Sequence, residues 1–222
     1  MTSSISERIT SICGSLPASV RLVAVSKTFP PEAIRAAYNV GIRDFAENRI
    51  QEAASKQAQL HDLSDITWHF IGHLQGNKAK KAIELFDWIH SVDSLKLAQR
   101  LNQLAAQLGV SPQVCLQVKI LPDPNKSGWN VPELLADLPD LNKCEDLQIQ
   151  GLMTIPPLGL NEAQIMNVFN TTYKLAKEID QQNWSHLKMR EVSMGMSGDY
   201  QLAVQAGATM VRLGTILFGD RT

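Results

Sequence analysis

Cysteine is scarce in this chain: Cys13, Cys115 and Cys144 stand far apart, with no C-x-x-C pair. Such a scattered, odd-numbered set excludes a disulfide framework and a structural zinc site. Cys115 lies in an apolar run and reads as a core residue. A charge excess is lacking too. The 21 Lys and Arg nearly balance 22 Asp and Glu, for a formal net charge of −1. No strong field therefore invites nucleic acid or an anionic membrane. No apolar run approaches the roughly 18 residues that would suggest a membrane span. Met1 to Leu16 is polar, without the basic-then-apolar pattern of a secretory leader. A cytoplasmic protein is expected, with neither nucleic acid nor membrane as partner.

What is present is a 222-residue chain of ordinary globular composition, long enough to bury a large core. No linker or low-complexity run divides it, so one domain over residues 1–222 is expected. Short apolar runs alternate with helical patterns throughout. The strands read as Leu22–Ser26, Arg43–Glu47, Thr67–Ile71, Trp88–Ser91, Val114–Lys119, Leu147–Met153, Met189–Met194 and Met210–Leu213. Between them, helices are expected from Pro30-Pro31-Glu32 to about Tyr38, over Arg49–Leu60, Asn77–Leu85, Ser94–Leu108, Val131–Asp137, Glu162–Gln181 and Asp199–Gln205. An extra amphipathic helix, Ser4–Cys13, precedes the first strand. Eight such units predict an α/β fold of the (β/α)8 barrel type. The rival, a doubly wound open sheet, calls for a glycine-rich turn after the first strand. That turn is Ser26-Lys27-Thr28-Phe29-Pro30, with no glycine.

Lys27 is an odd end to an apolar strand. A solvated lysine is the ordinary explanation, but in a barrel this end of the strand is where chemistry is placed. Lysine also forms Schiff bases with carbonyls when a desolvated or cationic setting lowers its pKa. The loops after strands seven and eight carry Ser193-Met194-Gly195-Met196-Ser197-Gly198-Asp199 and Gly214-Thr215. Barrels often bind phosphate there, on backbone N–H groups, a helix start and small residues. Ser197 acting merely as a helix cap uses the same donors, so both readings hold together. Arg212 sits inside an apolar strand and must snorkel, pair with a carboxylate or serve a ligand. A reactive lysine, an opposed phosphate cradle and a buried arginine between them describe a pyridoxal 5'-phosphate site.

Other readings of these residues are weaker. Gly195-Met196-Ser197-Gly198-Asp199 departs from the G-x-S-x-G elbow at its last position, and no histidine follows Ser197. His69 and His73 are four apart but span a strand and a loop rather than a helix face, so no metal is expected.

Longer motifs run through the whole chain: Ala24-Val25-Ser26-Lys27, Phe45-Ala46-Glu47-Asn48, Trp68-His69-Phe70-Ile71-Gly72-His73-Leu74-Gln75, Gly151-Leu152-Met153, Ser193-Met194-Gly195-Met196-Ser197 and Val211-Arg212-Leu213-Gly214-Thr215. In these the chain resembles the YggS/PROSC family of pyridoxal-phosphate homeostasis proteins. The resemblance implies a TIM barrel similar to the N-terminal domain of alanine racemase, with Lys27 holding the cofactor as a Schiff base. It also implies phosphate contacts from Ser197, Gly198, Gly214 and Thr215, with Arg212 beside the pyridine nitrogen. Asn48, His69, Met153 and Ser193 are expected to line the same pocket.

The expected role is to buffer or deliver pyridoxal 5'-phosphate and so affect amino- and keto-acid balance, with no catalytic residue assigned. Two-base racemisation needs a second acid–base group, which racemases take from a further domain; the chain ends at Thr222, so none is expected. An arginine beside the ring nitrogen cannot give up its proton, which leaves the ring a poorer electron sink. An amino-acid racemase-like enzyme is the alternative, and a regulatory module acting through a protein partner a weaker one. Transient contacts with apo-enzymes and a monomeric state are expected.

Overall fold

The computed structural model describes residues 4–220. Eight parallel strands close into a barrel: β1 Arg21–Val25, β2 Asp44–Glu47, β3 Thr67–Phe70, β4 Trp88–Val92, β5 Gln113–Lys119, β6 Gln148–Met153, β7 Leu187–Ser193 and β8 Met210–Leu213. Each pairs with the next, and β8 returns to β1 with Val23 opposite Arg212. A two-residue strand, Trp129–Asn130, lies beside the end of β5. The expected (β/α)8 barrel is therefore the observed fold, and every expected strand falls within two residues of its place.

Helices cover the outside. They are α1 Ile5–Ser15, α2 Pro31–Asn39, α3 Ile50–Gln59, α4 Ala79–Leu85, α5 Leu95–Leu108, α6 Val131–Leu141, α7 Glu162–Asp180, α8 Tyr200–Gln205 and α9 Thr215–Phe218. The caps explain several starts. Ser4, Asn130 and Asn161 each form a capping box at the head of α1, α6 and α7. Gly109, with φ of 66°, closes α5 in the left-handed conformation that glycine tolerates best.

Three helical details differ from expectation. The Asn77–Leu85 segment opens as a 3-10 turn, Gly76–Lys78, before α4. Helix α6 continues through Pro139 to Leu141, because its apolar face stays buried through Leu138 and Leu141. The four-residue α9 was not expected at all.

Two hydrophobic layers follow from strand alternation. Outward residues such as Leu22, Ala24, Phe45, Phe70 and Ile89 pack under the helices. Inward residues Val23, Val25, Ala46, Trp88, Cys115, Met153 and Met210 form a smaller inner cluster. No helix among the described residues is long and apolar enough to cross a membrane. No group of three or more His, Cys, Asp or Glu among them gathers to hold a metal.

Candidate functional site

At the C-terminal mouth of the barrel, Lys27 stands half-buried in the turn after β1. That turn is held from beneath. Ser26 C=O accepts from Lys56 Nζ at 2.8 Å, and Thr28 N–H donates to Glu52 Oε1 at 2.6 Å. Lys56 also contacts Glu47 Oε1 at 2.8 Å, while Ser26 Oγ donates to the same oxygen at 2.7 Å. Glu47 is fully buried, and burial pushes its carboxyl up against the pull of Lys56 and Ser26.

Beside β1 in the barrel lies Arg212, only 3% exposed. Its Nη1 donates to Ser193 Oγ at 2.6 Å and its Nη2 to Thr154 C=O at 3.1 Å. Both partners are uncharged oxygens, and among the described residues no ion pair joins the guanidinium. Burial pushes it down to about 10, which still leaves it charged at neutral pH. Met153 lies next to Thr154 in the inner cluster and faces Ser193 across the β6–β7 ladder.

The loops after β7 and β8 converge as expected. Gly214 N–H and Ile216 N–H both point at Ser197 Oγ, at 3.3 and 3.4 Å. Gly195 makes this approach possible: its φ is 90°, and a Cβ there would lie 2.5 Å from Ala203 Cβ. The nearby Asp199 carboxylate is engaged by Met196 N–H at 2.6 Å. What the loops present is backbone N–H groups and hydroxyls, including exposed Thr215 and Gly198 at the rim. That donor set suits an anion such as a phosphate ester. A lysine amine, a buried guanidinium and this cradle, all on one face of the barrel, fit pyridoxal 5'-phosphate.

Two expected pocket residues are placed less directly. Asn48 follows β2 half-buried, with its backbone carbonyl pressed against Gly72: a Cβ on Gly72 would fall 2.2 Å from that oxygen. His69 has both ring nitrogens occupied, Nε2 by Asp44 Oδ1 at 2.9 Å and Nδ1 by His90 Nε2 at 2.8 Å. It reaches the site only through His90, whose Nδ1 meets Ser193 Oγ at 2.8 Å.

His90 is the residue that reading the sequence missed. Its signal was parity: it stands two residues after inward Trp88, in a strand buried at every position. A polar residue at such a place needs a partner. An open groove of about 990 Å3 lies outside the loops after β3 and β4, lined by His73, Asn77, Asp93, Lys96 and Arg100 among others. It is separate from the Lys27–Arg212 site.

Comparison with known proteins gives the family. The family model for the alanine racemase N-terminal domain matches residues 2–222. The pyridoxal phosphate homeostasis protein of Synechocystis sp. is 56% identical over 210 residues, 95% of each chain. That of Pseudomonas aeruginosa is 43% identical over 206 residues, 92% of this chain and 86% of its own. Among solved structures, PipY of Synechococcus elongatus with pyridoxal phosphate bound superposes with a TM-score of 0.93 at 54% identity, covering 97% of this chain and 100% of PipY. Alanine racemase of Clostridium difficile reaches a TM-score of 0.79 at 17% identity, covering 97% of this chain and 56% of the racemase, a likeness of fold alone. On the family model and these identities, the chain belongs to the pyridoxal phosphate homeostasis proteins, within the alanine racemase N-terminal domain family.

Proposed function

We propose that this chain binds pyridoxal 5'-phosphate and serves its homeostasis, holding the cofactor covalently on Lys27 rather than using it in turnover. The single observation that carries the reading is the placement of Lys27, Arg212 and the Ser197–Gly214 cradle on one face of a barrel whose relatives bear that name. Bound there, the group would supply an aldehyde carbon for a lysine amine and, in enzymes, an electron sink.

The chain's own residues divide the work. Lys27 Nζ would hold the group at its aldehyde carbon, the carbonyl oxygen leaving as water. Ser197, Gly198, Gly214 and Thr215 receive the phosphate. Arg212 spends two of its N–H donors on Ser193 and Thr154 and has others for the pyridine nitrogen. Met153 closes the pocket from β6, with Asn48 near the mouth, and Ser193 and His69 behind Arg212. A guanidinium at the ring nitrogen would keep its own proton, so the ring would stay neutral and stabilise carbanions poorly.

The described tyrosines offer little as a second acid–base group. Tyr200 is buried in α8, Tyr38 hydrogen-bonds Asp65 on the outer ring, and Tyr173 stacks with Lys177 on α7. We take the chain to act as one cytoplasmic domain and as a monomer that meets apo-enzymes transiently.

Two assays on the loaded protein test the reading. Incubation with single-enantiomer amino acids should leave optical rotation unchanged, and an apo-enzyme dependent on pyridoxal phosphate should regain activity from it. Racemisation at ordinary enzymic rates, on the order of 10 per second, would refute the holding role.

A further inference from the structure

Buried side chains run in single file through the barrel, from Arg212 at the mouth to Asp44 near its other end. The links are Arg212 Nη1 to Ser193 Oγ at 2.6 Å, Ser193 Oγ to His90 Nδ1 at 2.8 Å, His90 Nε2 to His69 Nδ1 at 2.8 Å and His69 Nε2 to Asp44 Oδ1 at 2.9 Å. Ser193, His90 and His69 are 0% exposed. The Asp44 side chain retains 22% exposure.

The direction of this chain follows from its ends. A guanidinium only donates, so Ser193 Oγ accepts from Arg212 and has one proton left, which goes to His90 Nδ1. His90 then carries its own proton on Nε2 and gives it to His69 Nδ1. His69 in turn gives its Nε2 proton to the carboxylate. Every donor meets an acceptor. The opposite tautomers would set a bare His69 Nε2 against the Asp44 carboxylate and leave the Ser193 proton without a partner, which is costly when buried. Imidazolium forms are disfavoured as well. Burial holds His69 below the ordinary histidine value despite Asp44, and holds His90 well below it, with His69 and Arg212 adding to the effect.

We propose that His90 and His69, anchored by Asp44, are positioning residues for Arg212: they fix its guanidinium through Ser193 and relay the charge of Asp44 through the barrel to the cofactor site. The relay rests on the reading that Arg212 faces the pyridine ring. Charged groups flank both ends: Asp199 bears on Arg212 at the mouth, and others lie near Asp44. Arg21 lies 4.0 Å from Asp44, 3.4 Å from Glu191 and 5.5 Å from the Trp88 ring centre. Asp87, on the segment before β4, accepts from Trp68 N–H at 2.7 Å. Ring stacking of His69 on Trp88, 5.9 Å between centroids, holds the middle of the chain in line.

The test begins with ligand-free protein labelled with 15N at histidine. Long-range 1H–15N spectra near neutral pH should show both His69 and His90 protonated at Nε2 and bare at Nδ1. An Nδ1–H tautomer or an imidazolium at either residue overturns the chain. Asp44→Asn keeps an acceptor for His69 and removes the charge. It should shift the Arg212 side-chain 15N resonances without ligand, move the visible band of bound pyridoxal phosphate and weaken binding roughly tenfold. His90→Gln should do the same more strongly. Unchanged Arg212 resonances in Asp44→Asn overturn the relay. If they shift while band and affinity stay fixed, the link to the cofactor is overturned. Failure of the wild-type protein to take up pyridoxal phosphate would instead overturn the functional reading and leave the tautomer result standing.

Discussion

Lys27 owes its place to the residues that brace the turn around it. The next residue, Thr28, has φ of 71°, a left-handed conformation that a β-branched side chain adopts only at a cost. Glu52 compensates by accepting from Thr28 N–H, and Lys56 holds the carbonyl before Lys27. Lys56 in turn pairs with buried Glu47. Lys56→Met would leave Glu47 buried and uncompensated, and should cost about 3–5 kcal/mol in urea unfolding. Adding Glu47→Gln to that variant should recover part of the loss. Recovery by the double variant is the result to look for, since a mere packing defect would not show it. Part of this cluster was readable in the sequence, because Glu52 and Lys56 stand four apart on a helix. Glu47 was not, because nothing local says that this strand residue faces α3 rather than the barrel interior.

At the scale of elements, the alternation of short strand-like runs with helical patterns carried most of the legible information. Those runs located all eight strands, and Arg212 stood out inside its own; Ser193 was tied to the same pocket only by the family resemblance, and its bond to Arg212 came from the structure. Helix α9 was illegible for a physical reason: four residues, Thr215–Phe218, hold less than two turns and show no period. Yet it matters to the site, since Ile216 N–H in its first turn points at Ser197. The long-range ties of His90 were also beyond local pattern, because its partners come from strands 21 and 103 residues away. The β7–α8 loop depends on Gly195. Gly195→Ala should destabilise the protein by about 2 kcal/mol or more, through positive φ and the clash with Ala203. It should also weaken pyridoxal phosphate binding. Thermal unfolding and a binding titration on the same sample check both halves.

For the molecule as a whole, the barrel pays for its polar interior in acid. His69 and His90 are both held below the ordinary histidine value, near 6.5, chiefly by burial. The unfolded chain therefore binds protons more readily than the folded one as pH falls below that value. The stability tied to these histidines is fully present above about 6.5 and declines as pH drops toward their lowered folded values. Urea midpoints measured from neutral pH downward should fall, and replacing His90 with Gln should flatten the decline. The family model spans residues 2–222, whereas the Clostridium difficile racemase is matched over 56% of its own chain.

The central claim, that Lys27 holds pyridoxal 5'-phosphate, meets its most direct test in borohydride reduction of the loaded protein, followed by peptide mass mapping. One phosphopyridoxyl group per chain, on the peptide containing Lys27, is the predicted result. A label on another lysine, or no label at all, would contradict it.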